Sequence, residues 1–250
     1  MTSTPAPAVG RRRAAIPPTL SLYLGNRYYV LANPAIILTV VVGLSMLVAV
    51  LIGLATGELP LTERLREGTR ANGGVIYGLP GFLMGVGAMA TNRNFSLALS
   101  LGSSRRAFWQ GTSYGFLATS LVTATAAMIL LALERATHAW WLGIHVIEVD
   151  VLGRGYPLVF LSVLCTCLFG LYLGAFFGTI YRTLGAAWVV VTSIGYAVAV
   201  VALVAMLVWQ REALAAPLAS LGNSWWLPFV AAQTALTAGA SFLLNERAPV

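Results

Sequence analysis

Six apolar stretches dominate this chain, near residues 35–56, 73–90, 111–133, 157–180, 185–208 and 225–244, and none contains an Asp, Glu, Lys, Arg or His between its borders. A helix needs roughly 20 apolar residues to cross a hydrocarbon core of about 30 Å, and each stretch meets or approaches that length. Such runs have one economical solution in lipid, a helix that satisfies every backbone group internally. The expected fold is therefore all-α, a polytopic membrane protein with six transmembrane helices in one domain spanning residues 35–244. The second stretch is short, rich in glycine and interrupted by Pro80, which predicts a kinked or partly broken helix.

Composition decides the solvent. Only 9% of the residues are charged and the mean hydropathy is +0.82, too little polar surface to coat a soluble globule of this size. The net charge of +7 would suggest nucleic acid in a soluble chain. Here the arginines lie between apolar runs, where they set topology, so no nucleic-acid partner is expected and the lipid bilayer is.

Arginine placement gives the orientation. With the N-terminus inside, the inner segments hold Arg11, Arg12, Arg13, Arg27, Arg93, Arg105, Arg106, Arg182 and Arg247 against a single acid, Glu246. The outer segments hold six arginines against seven acids. The arginine bias predicts cytoplasmic N- and C-termini. Aromatic residues follow the same borders, with Tyr28, Tyr29, Trp109 and Tyr181 inside and Trp140, Trp141, Trp209, Trp225 and Trp226 outside, as expected at headgroup depth.

Outside the spans, residues 1–15 are rich in Ala, Pro and Arg and read as a disordered tail. Residues 16–34 are too short to cross. They read either as an interfacial elbow or as more tail joined to an extended first helix. The cluster Arg11, Arg12, Arg13 is followed by "AAIPPTL" and not by an apolar core segment, so no cleaved signal is expected. Cys165 and Cys167 stand two apart and point to different sides of a helix, so they do not bridge each other.

Several chemistries lack their residues. Ion-coupled pumps usually place an ionisable group at membrane depth, and the spans have none. Intramembrane hydrolysis needs a base beside its nucleophile, whereas His138 and His145 both lie between the third and fourth stretches. That outer loop, residues 134–156, combines both histidines with Glu134, Glu148 and Asp150, but in no compact metal-binding spacing. No catalytic, cofactor-binding or metal residues are assigned. No phosphate-binding loop of the GxxxxGK[ST] type occurs, so chemical energy would have to come from another polypeptide. Gly170, Gly174 and Gly178, each four apart, form a small-residue face suited to close helix packing. Gly74, Gly78, Gly81 and Gly85 suggest the same for the second stretch.

One segment breaks the apolar pattern, "NRNFSLALSLGSSRRAFWQGTS" at residues 92–113, with three arginines and no carboxylate. A short helix over 94–103 would set Phe95, Ala98, Leu99 and Gly102 on one side and Ser96, Ser100 and Ser103 on the other. Gly102 suits a helix stop, and Ser103 or Ser104 suits the cap of the next helix. Such a helix either rests in the lipid interface or docks on a soluble partner.

The run "FSLALSLGSSRRAFWQGT" resembles the cytoplasmic segment of type-2 permease subunits of ATP-binding-cassette transporters. The resemblance rests on Phe95, Ala98, Leu99, Gly102, Ser104, Arg105, Arg106, Phe108, Gly111 and Thr112. It implies a short cytoplasmic coupling helix between spans two and three, with Arg93, Phe95, Ala98, Leu99, Gly102, Ser104, Arg105 and Arg106 facing a separate ATP-binding subunit. It further implies a non-catalytic permease half in the plasma membrane, paired as a homodimer or related heterodimer, that exports a substrate by alternating access. Residues 209–224 would form a short outer helix, while the loop 134–156 has no counterpart role. A membrane scaffold or regulatory protein is the competing class, and an ion-coupled carrier with backbone-lined sites is a third. Residue types along the spans do not select a substrate.

Overall fold

The computed structural model describes residues 28–71, 74–153, 155–210 and 222–247, together with Leu20, Tyr23 and Gly25. The tail at 1–15, most of the segment 16–34 and the greater part of the expected outer helix at 209–224 lie outside the described residues. Seven α-helices are described: α1 (Asn33–Thr56), α2 (Glu63–Arg70), α3 (Gly74–Ser100), α4 (Arg105–Ala136), α5 (Tyr156–Leu184), α6 (Ala186–Trp209) and α7 (Leu227–Arg247). A π-helical turn at Tyr28–Ala32 runs into α1. No strand occurs among the described residues. Among the described residues, five helical stretches are long and apolar enough to cross a membrane: Val30–Thr56, Arg105–Ala136, Tyr156–Leu184, Ala186–Trp209 and Leu227–Arg247.

Packing centres on α5. Val159, Val163, Cys167, Leu171 and Ala175 are buried along it, against Leu79, Leu83 and Val86 of α3 and Phe116, Ala124, Ala127 and Leu131 of α4. The α3–α5 pair is the most closely packed in the molecule, and its cause is glycine. A Cβ at Gly170 would stand 2.7 Å from Pro80 Cα, one at Gly178 would stand 2.6 Å from Thr91 Oγ1, and one at Gly174 would overlap the Met84 carbonyl. From the other side, a Cβ at Gly87 would overlap the Leu171 carbonyl. Small residues on both faces thus let the backbones touch. The glycines Gly81 and Gly85 face open space, and Gly78 has only Val41 at 3.8 Å. Gly87 is therefore the α3 residue that the contact requires.

Hydroxyl groups fill the rest of the interior, with Thr119, Ser120 and Thr123 of α4 and Ser162, Thr166 and Thr179 of α5 buried. Thr123 and Thr179 donate to the Thr119 and Ala175 carbonyls of the preceding turn at 2.8 and 2.7 Å, which satisfies those hydroxyls locally. Thr119 Oγ1 pairs with the Tyr23 hydroxyl at 3.2 Å, and Ser120 Oγ and Thr166 Oγ1 have no partner among the described residues. By contrast, α6 has no buried residue and packs mainly along α5, with Tyr196 donating to Gln233 Oε1 of α7 at 3.2 Å. Most of its valines are exposed, the pattern of a helix solvated by lipid or by another chain.

The structure departs from the sequence-based expectation at α3. Helix α3 passes through Pro80 without interruption and continues to Ser100, so residues 94–100 form its last turns and not a separate crossing helix. Between Gly87 and Gly102 there is neither proline nor glycine to stop it. With 27 residues, α3 is about 40 Å long at 1.5 Å per residue. It is not among the stretches long and apolar enough to cross a membrane, so the sixth span expected from the sequence is not shown.

Candidate functional site

The hairpin joining α3 to α4 ends in a tight cap. Gly102, at φ +81°, takes the left-handed conformation that ends a helix at low cost. Ser103 N donates to the Ala98 carbonyl at 3.0 Å and Gly102 N to the Leu99 carbonyl at 2.9 Å, the paired bonds of a Schellman motif. Ser104 then caps α4, its Oγ accepting from Ala107 N at 3.1 Å. Four residues therefore reverse the chain, and the turn has little freedom relative to its two helices.

Beneath the turn lies a small core of its own. Phe95 is 3% exposed and Ala98 0%, packed with Phe108 and Leu99. The Phe95 and Phe108 rings meet edge to face at 5.2 Å. The apolar arc expected to dock on a partner is thus turned into the bundle. What the hairpin presents outward is Ser96, Leu97, Ser100, Leu101, Gly102, Ser104 and Arg106, with Leu101 at 60% exposure. Arg93 lies on α3, but its side chain is outside the described residues.

Arg182, in the last turn of α5, locks this core to the other helices. Its guanidinium carbon lies 3.4 Å from the centroid of the Phe95 ring. Nη1 donates to the Thr91 carbonyl at 2.6 Å and Nη2 to Asn245 Oδ1 at 2.8 Å. Asn245 Nδ2 in turn donates to the Arg105 carbonyl at 2.9 Å. Helices α3, α4, α5 and α7 are joined in this way by one arginine and one asparagine. Arg105 Nη1 also donates to the Glu246 carbonyl at 2.8 Å. Arg106 stands 3.8 Å from the Glu246 carboxylate, an exposed pair worth at most about 1 kcal/mol. The segment has no acid in its own sequence, yet α7 supplies one. Sequence reasoning counted Arg182 only as a topological arginine and did not mark Asn245. The available signal was a polar side chain near the end of each of two apolar runs.

A second polar cluster sits at the opposite end of the bundle. Glu134, in the last turn of α4, is 1% exposed. Its carboxylate accepts from Ile147 N at 2.8 Å, Val146 N at 3.2 Å, Glu148 N at 3.2 Å and the Trp140 indole at 3.2 Å. His145 Nδ1 lies 3.2 Å from Glu134 Oε1, while Arg66 Nε of α2 donates to His145 Nε2 at 3.3 Å. That pair fixes a neutral ring with its proton on Nδ1. Burial first, then the nearby Arg70 charge, push the His145 pKa below its ordinary value. Arg135 and Glu148 form an ion pair at 2.8 Å. The clamp holds an uncommon backbone. His138, Ala139, Trp140 and Trp141 have φ of +50°, +62°, +60° and +57°, a left-handed turn that costs about 1–2 kcal/mol per residue.

Glu134, His145 and Glu148 bring three ligand atoms within 4.8 Å of one another. The chemistry of the donors does not suit a cation. The Glu134 oxygens already receive backbone and indole N–H groups, and the His145 lone pair faces Arg66. The cluster reads as a structural clamp on the loop.

Compared with protein-family models, curated proteins and solved structures, the chain matches none of them.

Proposed function

We propose that this chain is the membrane-spanning permease subunit of an ATP-binding-cassette transporter, driven by a separate ATPase subunit and working as an exporter by alternating access. In this reading α1, α3, α4, α5, α6 and α7 are six spans of the plasma membrane, with both termini and the α3–α4 hairpin in the cytoplasm. The observation that carries it is mechanical. The exposed tip at Leu97–Arg106 is capped rigidly at both helix ends and tied through Arg182 and Asn245 to α5 and α7. A push on the tip is delivered to four helices together. Leu97, Leu101, Gly102, Ser104 and Arg106 would meet the ATPase, while Phe95, Ala98, Leu99 and Arg105 position them. The test is copurification of a nucleotide-hydrolysing polypeptide. Leu101→Asp should release it, and Arg182→Ala should leave it bound but with ATP hydrolysis uncoupled from the membrane subunit. Retention and normal coupling in both variants would refute the reading.

A second reading is favoured by α6, whose largely exposed apolar surface suits association with another copy or another membrane chain. A scaffold or regulatory protein would use that face without moving substrate. Cysteine at Ile194 would then cross-link between chains, and no ATPase would copurify.

A further inference from the structure

Between α1, α2 and the Glu134-clamped loop lies a crevice of about 290 Å³. Val48, Ala49 and Ile52 of α1 form one wall, and Leu65 and Gly68 of α2 face them. Arg64 stands at its mouth and is the one charged residue among those that line it, apart from His145, which is neutral. Helix α2 is strongly amphipathic and carries five charged residues in eight, which suits headgroup depth. The wall on α1 belongs to a stretch apolar enough to cross the membrane.

The polar groups at the lip differ in their commitments. Thr69 Oγ1 donates to the Arg66 carbonyl at 2.7 Å and accepts from His145 N at 3.0 Å. Both His145 nitrogens are engaged, and Glu63 faces Arg66 at 3.7 Å. Of the charged groups that line the crevice, Arg64 is left: its guanidinium has no ion pair or hydrogen bond among the described residues. An apolar slot ending at an uncommitted cation is complementary to a molecule with an apolar tail and an anionic head.

We infer that this crevice is a binding site for an anionic phospholipid, with one acyl chain between α1 and α2 and the phosphate-bearing headgroup at Arg64. At about 290 Å³ the space lies at the low end of small-molecule pockets and takes one chain, the second remaining in bulk lipid. The site is independent of the transport reading, because it lies at the opposite end of the bundle from the hairpin.

The full chain, reconstituted in phosphatidylcholine vesicles, would be irradiated with trace phosphatidylglycerol or phosphatidylcholine carrying a diazirine on one acyl chain. The inference predicts that residues 45–52 and 61–69 are labelled by the anionic lipid about fivefold more than by the zwitterionic one, the ratio expected for one arginine at an anionic headgroup. Arg64→Gln should remove the preference. Gly68→Leu, whose Cβ would meet nothing within 4 Å but whose side chain would fill the slot, should remove the labelling. Gly43→Leu, also unobstructed, is the control and should change neither. Equal labelling by both lipids, or labelling spread evenly along α1 and insensitive to Gly68→Leu, would overturn the inference.

Discussion

At Arg182 a guanidinium reaches a ring, a backbone carbonyl and a side-chain amide on two neighbouring helices. No carboxylate is needed to hold it there. A desolvated cation–π contact is worth about 2 kcal/mol, and hydrogen bonds from a charged donor add about 1.5–3 kcal/mol. Arg182→Ala should therefore cost about 3 kcal/mol in chemical unfolding from mixed micelles. Arg182→Lys should recover only part, because an ammonium lacks the planar fork that reaches Thr91 and Asn245 together. At the other end, Glu134→Ala would leave three backbone N–H groups and the Trp140 indole without their acceptor. A loss of about 3–5 kcal/mol is expected, with the left-handed turn the first element to relax. His145 gives this end a pH dependence of definite sign. Its folded pKa is depressed, so below its ordinary value of 6.5 the unfolded chain binds a proton that the folded chain does not, and stability falls. The unfolding midpoint should drop between about pH 7 and about pH 5, and His145→Gln should flatten that limb. These residues also mark how far the sequence speaks at this scale. Gly102 and Ser104 were legible because helix ends have local chemical requirements. Arg182 and Asn245 were not, since their partners are 63 to 140 residues away, and Glu134 was not, since it holds backbone N–H groups 12 to 14 residues on, which no side-chain pattern announces.

Among the helices, the α3–α5 contact is the element on which the fold turns. The four-residue spacing of Gly170, Gly174 and Gly178 was readable as a packing face, because a helix places such positions in one line. Its opposing residue was not readable. Four glycines in the second stretch looked equivalent in sequence, yet Gly87, outside that set, is the one against the Leu171 backbone. This yields a paired prediction. Gly85→Ala should stabilise the chain by about 0.5–1 kcal/mol through reduced backbone freedom, as nothing lies near its Cβ. Gly87→Ala should destabilise it, and Gly174→Leu should separate α3 from α5 altogether, by roughly 1–3 kcal/mol or more. Unfolding in mixed micelles reads all three. The end of the apolar pattern and the three arginines of residues 92–113 suggested a separate helix from residue 94, but polar residues do not end a helix that packs on a neighbour, and Phe95 and Ala98 are drawn in by Phe108 and Arg182.

Across the bundle, apolar length was enough to predict an all-helical membrane protein, and five of the six expected spans are, among the described residues, long and apolar enough to cross. Which face of each helix meets its neighbour depends on pairings that periodicity leaves open, especially where a helix such as α6 is apolar all round. In the proposed function a motor outside the bundle acts on it through the hairpin tip. Leu101 is the residue to interrogate, being exposed at the turn and outside the Phe95 core. A photoreactive phenylalanine analogue placed there, irradiated in sealed native membranes, should form an adduct with a polypeptide that binds and hydrolyses ATP. Adducts with lipid alone, or labelling of a cysteine at position 101 by an impermeant reagent added to intact cells, would rule out a motor at the tip.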